Sequence, residues 1–404
     1  MAGTMDMTAA AEALPGWNDF AECVQTLPQR MLQLLPEDRR SDPHLVTKIE
    51  RMALEAVASQ VLGWLGSDGD HPQFMPAIGQ VLNVGQPNAD TVYRSASITP
   101  GGIFRLRGER GSLRIAVISE VGHTPRAGGQ SGPHKAVHDI NSLSVDGDDR
   151  FDVILSVERP MGYEGDWWAL SPSTNMLMMR LVSCAWATER SPTIAIERLD
   201  VAPQRPRPTA DMFNVKLRGL RPSVEFLALM FVNHHEKLRA EGYINKLKAF
   251  DLSDSGGLTG QFYYEGAYEL ADDEALIVEV KMPGRCHYRS LILTNEIYQT
   301  TDWYNNHASL NDVQAPTDAD GILRIVISAG DPGVANWLDT AGYGRGVIQG
   351  RWTDCDSQPI PTVARLKLSD VRNCLPAGAP SISPAERARI IRDRRAALLE
   401  RPLW

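Results

Sequence analysis

Three stretches of this sequence gather ionisable groups, amides and aromatic rings at the ends of hydrophobic runs, where such residues can meet a ligand. The first is GQPNADTVYRSASITPGG, Gly85 to Gly102. Asn88 and Asp90 sit in a turn ahead of an alternating segment in which Tyr93 and Ser95 share one face and Arg94 points to the other. Asp90 is suited to give or take a proton. The competing reading is an Asx turn, with its carboxylate accepting backbone N–H groups and Tyr93 packed as an amphipathic core residue. The second stretch is TNEIYQTTDWYNNHASLND, Thr294 to Asp312. Trp303 and Tyr304 there offer aromatic faces with polar tips, and His307 a titratable ring. The third is SAGDPGVANWLDTAGYGRGVIQGRW, Ser328 to Trp352. Its Asp331-Pro332-Gly333 is turn chemistry, since Pro fixes φ, Gly permits a positive φ and Asp tethers the turn. Asn336, Trp337 and Arg351 are candidates for a site wall. An Arg351–carboxylate brace holding loop to sheet is the structural alternative.

Histidines raise a metal reading. His134 and His138 in PHKAVHD are four apart and would share a face on a helical turn, with His123 upstream. A polar loop whose histidines meet solvent or backbone carbonyls is the better reading, since a lone i,i+4 pair is common by chance, and no metal is expected. His234-His235 on a helix diverge by about 100° and read as core or surface residues. The sequence has no GxxxxGK[ST] loop, GxSxG elbow, HExxH or EF-hand loop, and GYGRGV does not open a helix after a parallel strand. No cofactor is therefore expected.

The elements that must position these residues alternate in type. WNDFAECVQTLPQRMLQLLP and DPHLVTKIERMALEAVASQVLGWLG carry apolar residues at helical spacing, with Asp42-Pro43 as a start signal. From Ala77 the period falls to two. IFRLRGERGSLRIAVIS, Ile103 to Ser119, reads as a hairpin about GERG, and GHTPRAGGQSG as a long loop of the kind that forms lids. A helical stretch follows the Pro-rich VAPQRPRPTA, interrupted at Arg221-Pro222. A second β-rich run then extends to about Trp352. SISPAERARIIRDRRAALLERPLW is a helix with Ser383 as cap, Pro384 at its first position and Glu386 completing a capping box. Its Arg-rich face reads as solvated or as a subunit contact. The segments are 1–76 helical, 77–205 β-rich, 206–259 a helical connection, 260–380 β-rich and 381–404 the terminal helix. The fold class is α+β, with antiparallel sandwich-like sheets.

Composition bounds the partners. With 43% hydrophobic and 23% charged residues the chain is ordinary for a globular protein. A net charge of −9 argues against a nucleic-acid binder, and no apolar run is long enough to span a bilayer. The start, MAGTMDMTAAAEALPGW, lacks the basic and apolar regions of a signal peptide. Five scattered cysteines without a CxxC pair predict reduced thiols and a cytoplasmic setting.

PNADTVYRSA together with DADGILRIVISAGDPGVANWLDTAGYGRGVIQGRW resembles the paired bacterial domains of unknown function numbered twelve-fifty-four and twelve-fourteen. The second resemblance covers about the last third of the chain and the first is confined to Asn88–Tyr93. The shared residues are the Asn-x-Asp-Thr-x-Tyr turn, Asp320, Gly321 and Leu323, then Asp331, Pro332, Asn336, Trp337, Leu338 and Arg351. The resemblance implies two sandwich-like parts with helical additions, and homo-oligomers. It implies a periplasmic setting more often than a cytoplasmic one, and brings no activity with it.

Three functions compete. One is a cofactor-independent acid–base enzyme cleaving a C–O bond in a small aromatic or lipophilic molecule, such as a phenolic benzylic ether via a quinone methide. Asp90, Tyr93, His307 and Arg351 would be catalytic, and Asn88, Trp303, Tyr304, Asn336 and Trp337 would bind substrate. The second is a non-catalytic binding module for a sugar, lipid or terpenoid. The third is an assembly protein whose aromatic loops are subunit contacts. The first is the leading expectation.

Overall fold

The computed structural model describes residues 14–122, 134–251, 258 and 260–401. The lid-like stretch Gly122 to Gly132 and His123 therefore lie almost wholly outside the described residues. The fold is α+β, built from two antiparallel-rich sandwiches with helical additions.

Two helices open it, α1 (Pro15–Gln33) and α2 (Pro43–Gly66). Asp42 caps α2 by accepting from the His44 N–H at 3.0 Å, with Pro43 in the first turn. The strands of the first half are β1 (Met75–Pro76), β2 (Thr91–Ser97), β3 (Phe104–Glu109), β4 (Ile115–Val121), β5 (His134–Asp139), β6 (Arg150–Ser156), β7 (Asp166–Ala169), β8 (Met176–Val182) and β9 (Thr193–Arg198). Helices α3 (Ala210–Leu229) and α4 (His234–Ala240) follow. The second half holds β10 (Lys248–Phe250), β11 (Gln261–Glu269), β12 (Glu274–Lys281), β13 (Cys286–Leu293), β14 (Ser309–Asn311), β15 (Ile322–Ser328), β16 (Trp337–Asp339), β17 (Arg345–Cys355) and β18 (Thr362–Lys367). A short helix α5 (Val371–Cys374) and the capped α6 (Pro384–Leu399) complete the description.

The two halves share one topology. The first has sheets ordered β1-β2-β8-β4-β5 and β7-β6-β3-β9, the second β10-β11-β17-β13-β14 and β16-β15-β12-β18, so adding nine to each strand number converts one half into the other. The parallel pair β6–β7 is repeated by β15–β16. Local details repeat too. The Trp167 indole donates to the Ser156 Oγ at 2.9 Å, and the Trp337 indole to the Ser328 Oγ at 3.0 Å. Asp149 and Gly321, just ahead of β6 and β15, both adopt positive φ.

Each half buries an apolar core between its two sheets. Phe104, Leu106, Ile118, Leu177 and Met179 fill the first, and Leu276, Ile325, Leu291, Ile348 and Trp352 the second. The five-stranded sheets turn their remaining faces toward one another, where Ile115, Val117 and Val182 meet Tyr288. Helices α1, α2 and α3 form a separate core that reaches Val84 and Ile297 in the loops beside this seam.

Several local expectations need correction. β3 and β4 do not pair as a hairpin, because β3 lies between β6 and β9 while β4 lies between β8 and β5. The GERG segment is a crossing between layers, and Gly108 is required there: a Cβ would lie 1.7 Å from the Thr193 carbonyl oxygen. Helix α3 continues through Pro222. The helical connection also ends early, since Lys248–Phe250 is a strand. GYGRGVIQGRW is not a loop beyond its first residues, because Arg345–Cys355 is the central strand of the second inner sheet. Gly350 keeps β17 clear of the Tyr264 ring, 1.9 Å from where a Cβ would stand. His134 and His138 lie on a strand rather than a helical turn. Finally, Cys286 and Cys355 face each other across β13 and β17 and form a disulfide, so the thiols are not all reduced.

Candidate functional site

The site is the seam between the inner sheets, and the duplication decides what stands in it. On β2 and β8, Tyr93 pairs with Arg180; at the matching register of β11 and β17, Tyr263 pairs with Arg351. Both pairs project onto the facing sides of the two sheets, because their neighbours on the other side are the core residues Met179 and Trp352. The four side chains sense one another electrostatically: Arg180 feels Tyr263 and Tyr93, and Tyr263 feels Arg351 and Arg180. The Arg351 guanidinium lies 5.6 Å from the Tyr263 ring centre.

Arg351 is 4% exposed. Its Nη2 donates to the amide oxygens of Gln349 (2.7 Å) and Gln86 (3.2 Å), and its Nη1 has no partner. The anticipated carboxylate brace is absent among the described residues. Two further buried polar atoms without partners belong to residues that adjoin it, Gln86 Nε2 on its own acceptor and Asn88 Oδ1 on the residue that bonds Tyr288. Leaving such atoms unpaired costs about 1–3 kcal/mol each, a cost that a bound water or ligand would offset. Burial lowers the Arg180 pKa and raises that of the Tyr263 phenol against the pull of Arg351. At this face Tyr93 and Ser95 are only partly buried.

A polar chain continues from Arg351 along the same face. Gln349 donates to the Tyr298 hydroxyl at 2.7 Å, Tyr298 donates to Glu265 at 3.4 Å, and His234 meets both Glu265 oxygens at 2.9 Å. Glu265 is fully buried.

Asp90 stands on the other flank of the seam, 1% exposed. Its Oδ1 accepts from the Trp186 indole and Asn311 amide, both at 2.8 Å, and its Oδ2 from the Tyr288 hydroxyl at 2.7 Å. Asn88 donates to the same hydroxyl at 2.7 Å, while the Asn88 N–H donates to the Tyr93 hydroxyl at 3.2 Å. Desolvation drives the Asp90 pKa up despite these donors, and burial beside Asp90 drives that of Tyr288 well up. Tyr288 also feels Arg351, so it links the Asp90 flank to the Arg351 flank. Asp90 thus serves the Asn88–Tyr288 network with both oxygens engaged.

The remaining candidates stand elsewhere. His307 is buried with its Nδ1 against the Trp337 carbonyl at 2.5 Å; burial, with Arg394 and Arg387 nearby, holds its pKa well below the ordinary value. Trp303 packs with Ala89, Trp186 and Leu398, and Tyr304 lies at the margin of that cluster. Trp337 repeats the structural role of Trp167, and Asn336 donates to the Pro316 and Arg324 carbonyls. Asp331 tethers the Gly333 N–H at 2.8 Å and also pairs with Arg387 of α6 at 2.9 Å. The arginines of α6 are not simply solvated. Arg387 is 4% exposed, and Arg394 donates to Ser309 and stacks 4.5 Å from the Trp186 ring centre. Beyond the helix, Arg401 donates to the Ala89 and Asp90 carbonyls.

Sequence reasoning missed Arg180, Tyr263, Tyr288 and Glu265, on strands read as plain sheet, and Gln349, in the stretch read as a loop. One signal was present: Tyr93 and Arg180 recur as Tyr263 and Arg351 at an offset of about 170 residues, far beyond the 20–50-residue periods of ordinary repeat arrays. His138 is held by Glu120 at 3.1 Å and stacks on Trp168. No group of three or more His, Cys, Asp or Glu side chains suited to a metal ion occurs among the described residues.

The same architecture occurs in the crystal structure of an uncharacterized protein from Burkholderia cenocepacia. It superimposes with a TM-score of 0.80 over 88% of this chain and 97% of that one, at 24% identity. The likeness is one of fold. A protein of Vibrio parahaemolyticus aligns more loosely, with a TM-score of 0.44 and 11% identity over 78% of this chain and 100% of that one. No family model and no curated protein matches the chain. No helix of the described residues is long and apolar enough to cross a membrane.

Proposed function

We propose that the seam is the site of a cofactor-independent acid–base enzyme that cleaves a C–O bond in a small aromatic molecule. The observation that carries this reading is the convergence of two Tyr–Arg pairs on one seam where Arg351 Nη1 and its neighbours are buried without partners. Two guanidinium groups favour an oxyanion, and the buried Tyr263 phenol, held protonated by its burial, can give a proton to a departing oxygen.

A phenolic benzylic ether suits these groups. Its phenol, drawn toward Arg351 and Arg180, loses a proton to solvent beside the partly buried Tyr93. The phenolate electrons expel the benzylic alkoxide, which takes the Tyr263 proton and leaves as an alcohol. Water then adds to the quinone methide, giving hydroxide to the benzylic carbon and its proton to the Tyr263 phenolate. Reprotonation of the ring oxygen completes a hydrolysis. In this scheme Asp90 positions Tyr288 and does not touch substrate, and His307 takes no part.

The test is alcohol release from a 4-hydroxybenzyl alkyl ether by the full chain, beside its 4-methoxybenzyl analogue and the variants Tyr263→Phe and Arg351→Met. Release from the phenol alone, lost in both variants, supports the reading; release from the methoxy analogue refutes it. Binding without release, unchanged in Tyr263→Phe, turns the conclusion to a binding module for a sugar, lipid or terpenoid. That second reading is favoured by Asp90, whose two oxygens are already occupied, leaving no free carboxylate on its flank.

A small-molecule partner and self-association belong to the same proposal, and light scattering tests the latter. A cytoplasmic setting is the expectation from sequence, but the Cys286–Cys355 bond is of the kind kept in oxidising compartments, and the resemblance to the twelve-fourteen domains points the same way.

A further inference from the structure

On β2, the residue after Tyr93 faces away from the seam. Arg94 pairs in register with Met179 and projects toward the first sandwich. It is 8% exposed, its Nε is buried without a partner, and no described residue offers it a hydrogen bond, ion pair or ring contact. Burial, with no carboxylate in opposition, lowers its pKa. Arg94 lines a cleft of about 500 Å³ together with Gln73, Phe74 and the edge strand β9, whose Ile194 and Ile196 supply apolar wall.

The duplication shows that this opening is particular to one half. The position matching Arg94 is Tyr264, whose ring covers Gly350 and lies 5.7 Å from the Trp352 ring centre, inside the second core. A large ring fills the second sandwich where the first has a cation and a cleft. A buried guanidinium without a counter-charge is costly, and it becomes favourable when a carboxylate meets its planar fork. The cleft also has the volume and mixed lining of a small-ligand site.

We infer that this cleft binds an apolar monocarboxylate, with the carboxylate on Arg94 and the hydrocarbon against Phe74, Ile194 and Ile196. The site is separate from the seam and does not depend on the reaction proposed there.

Isothermal titration of the full chain with 4-phenylbutyrate tests it. Wild type binds the acid, and its methyl ester binds at least about tenfold more weakly, the loss expected when a charge-assisted pair is removed. Arg94→Met, which keeps the stem and removes the unpaired charge, loses the acid by a similar factor and melts no lower than wild type. Equal binding of acid and ester overturns the inference, as does equal binding by Arg94→Met or no heat from wild type. Should Arg94→Met fail to fold, the acid–ester comparison on wild type decides alone. Inorganic phosphate bound as tightly as phenylbutyrate overturns the apolar part.

Discussion

Replacing Arg351 by Met separates a residue built for a ligand from one built for stability. The substitution keeps an unbranched apolar stem but loses the guanidinium over the Tyr263 ring and two donations from Nη2, to Gln349 and Gln86. Each donation from a charged group contributes about 1.5–3 kcal/mol. Against this, the substitution relieves the burial of a charge with no carboxylate partner and removes an Nη1 that bonds to nothing. Those costs amount to several kcal/mol, so the two sides nearly cancel. Arg351→Met should lie within about 1 kcal/mol of wild type in urea unfolding, with an unchanged m-value. Arg351 as a structural brace would instead cost about 3–5 kcal/mol on truncation. A loss of that size, or turnover and ligand binding that survive the substitution, refutes the assignment of Arg351 to the site.

Three further outcomes follow from the geometry. The Asp90 pKa is raised on folding, so its contribution is fully present below the unfolded value of about 3.9 and is lost as pH rises through the folded value. The stability of wild type relative to Asp90→Asn should fall across that interval, read from paired thermal melts. His307 is depressed, so the folded protein binds fewer protons, and stability should be lost as pH falls below about 6.5; His307→Gln should flatten that slope. Reducing the Cys286–Cys355 bond, which spans 69 residues, should cost about 2–4 kcal/mol in urea unfolding, matched by the double serine variant.

What the sequence disclosed was local. The capping box at Ser383, Pro384 and Glu386 forms as its spacing predicts, because its partners lie within one turn. The Asp331 turn is equally local. Strand existence followed from alternation, but strand partners did not. Phe104–Glu109 and Ile115–Val121 suit a hairpin by pattern, yet each pairs with more distant strands once two layers must be filled. Asp90 and Tyr93 were found because polar residues beside a turn stand out. Arg180 and Tyr263 were not, because a charged or phenolic residue inside a strand looks like surface until the opposing sheet is known. The buried arginines of α6 were misread for the same reason, since their acceptors, Ser309, Asp331 and Val334, lie far away in sequence.

The repeated framework has a consequence for how such a site can change. There are two copies of the fold but only one seam between them, so a group needed once has two positions from which to be supplied. Three residues before Tyr93 stands Asp90; three before Tyr263 stands Gly260, which takes a positive φ. Arg94 in one copy answers to Tyr264 in the other. Redundancy of this kind leaves one member of each matched pair free to differ. A seam that would be symmetric with identical halves can then acquire a head and a tail, and with them the ability to tell the two ends of a substrate apart.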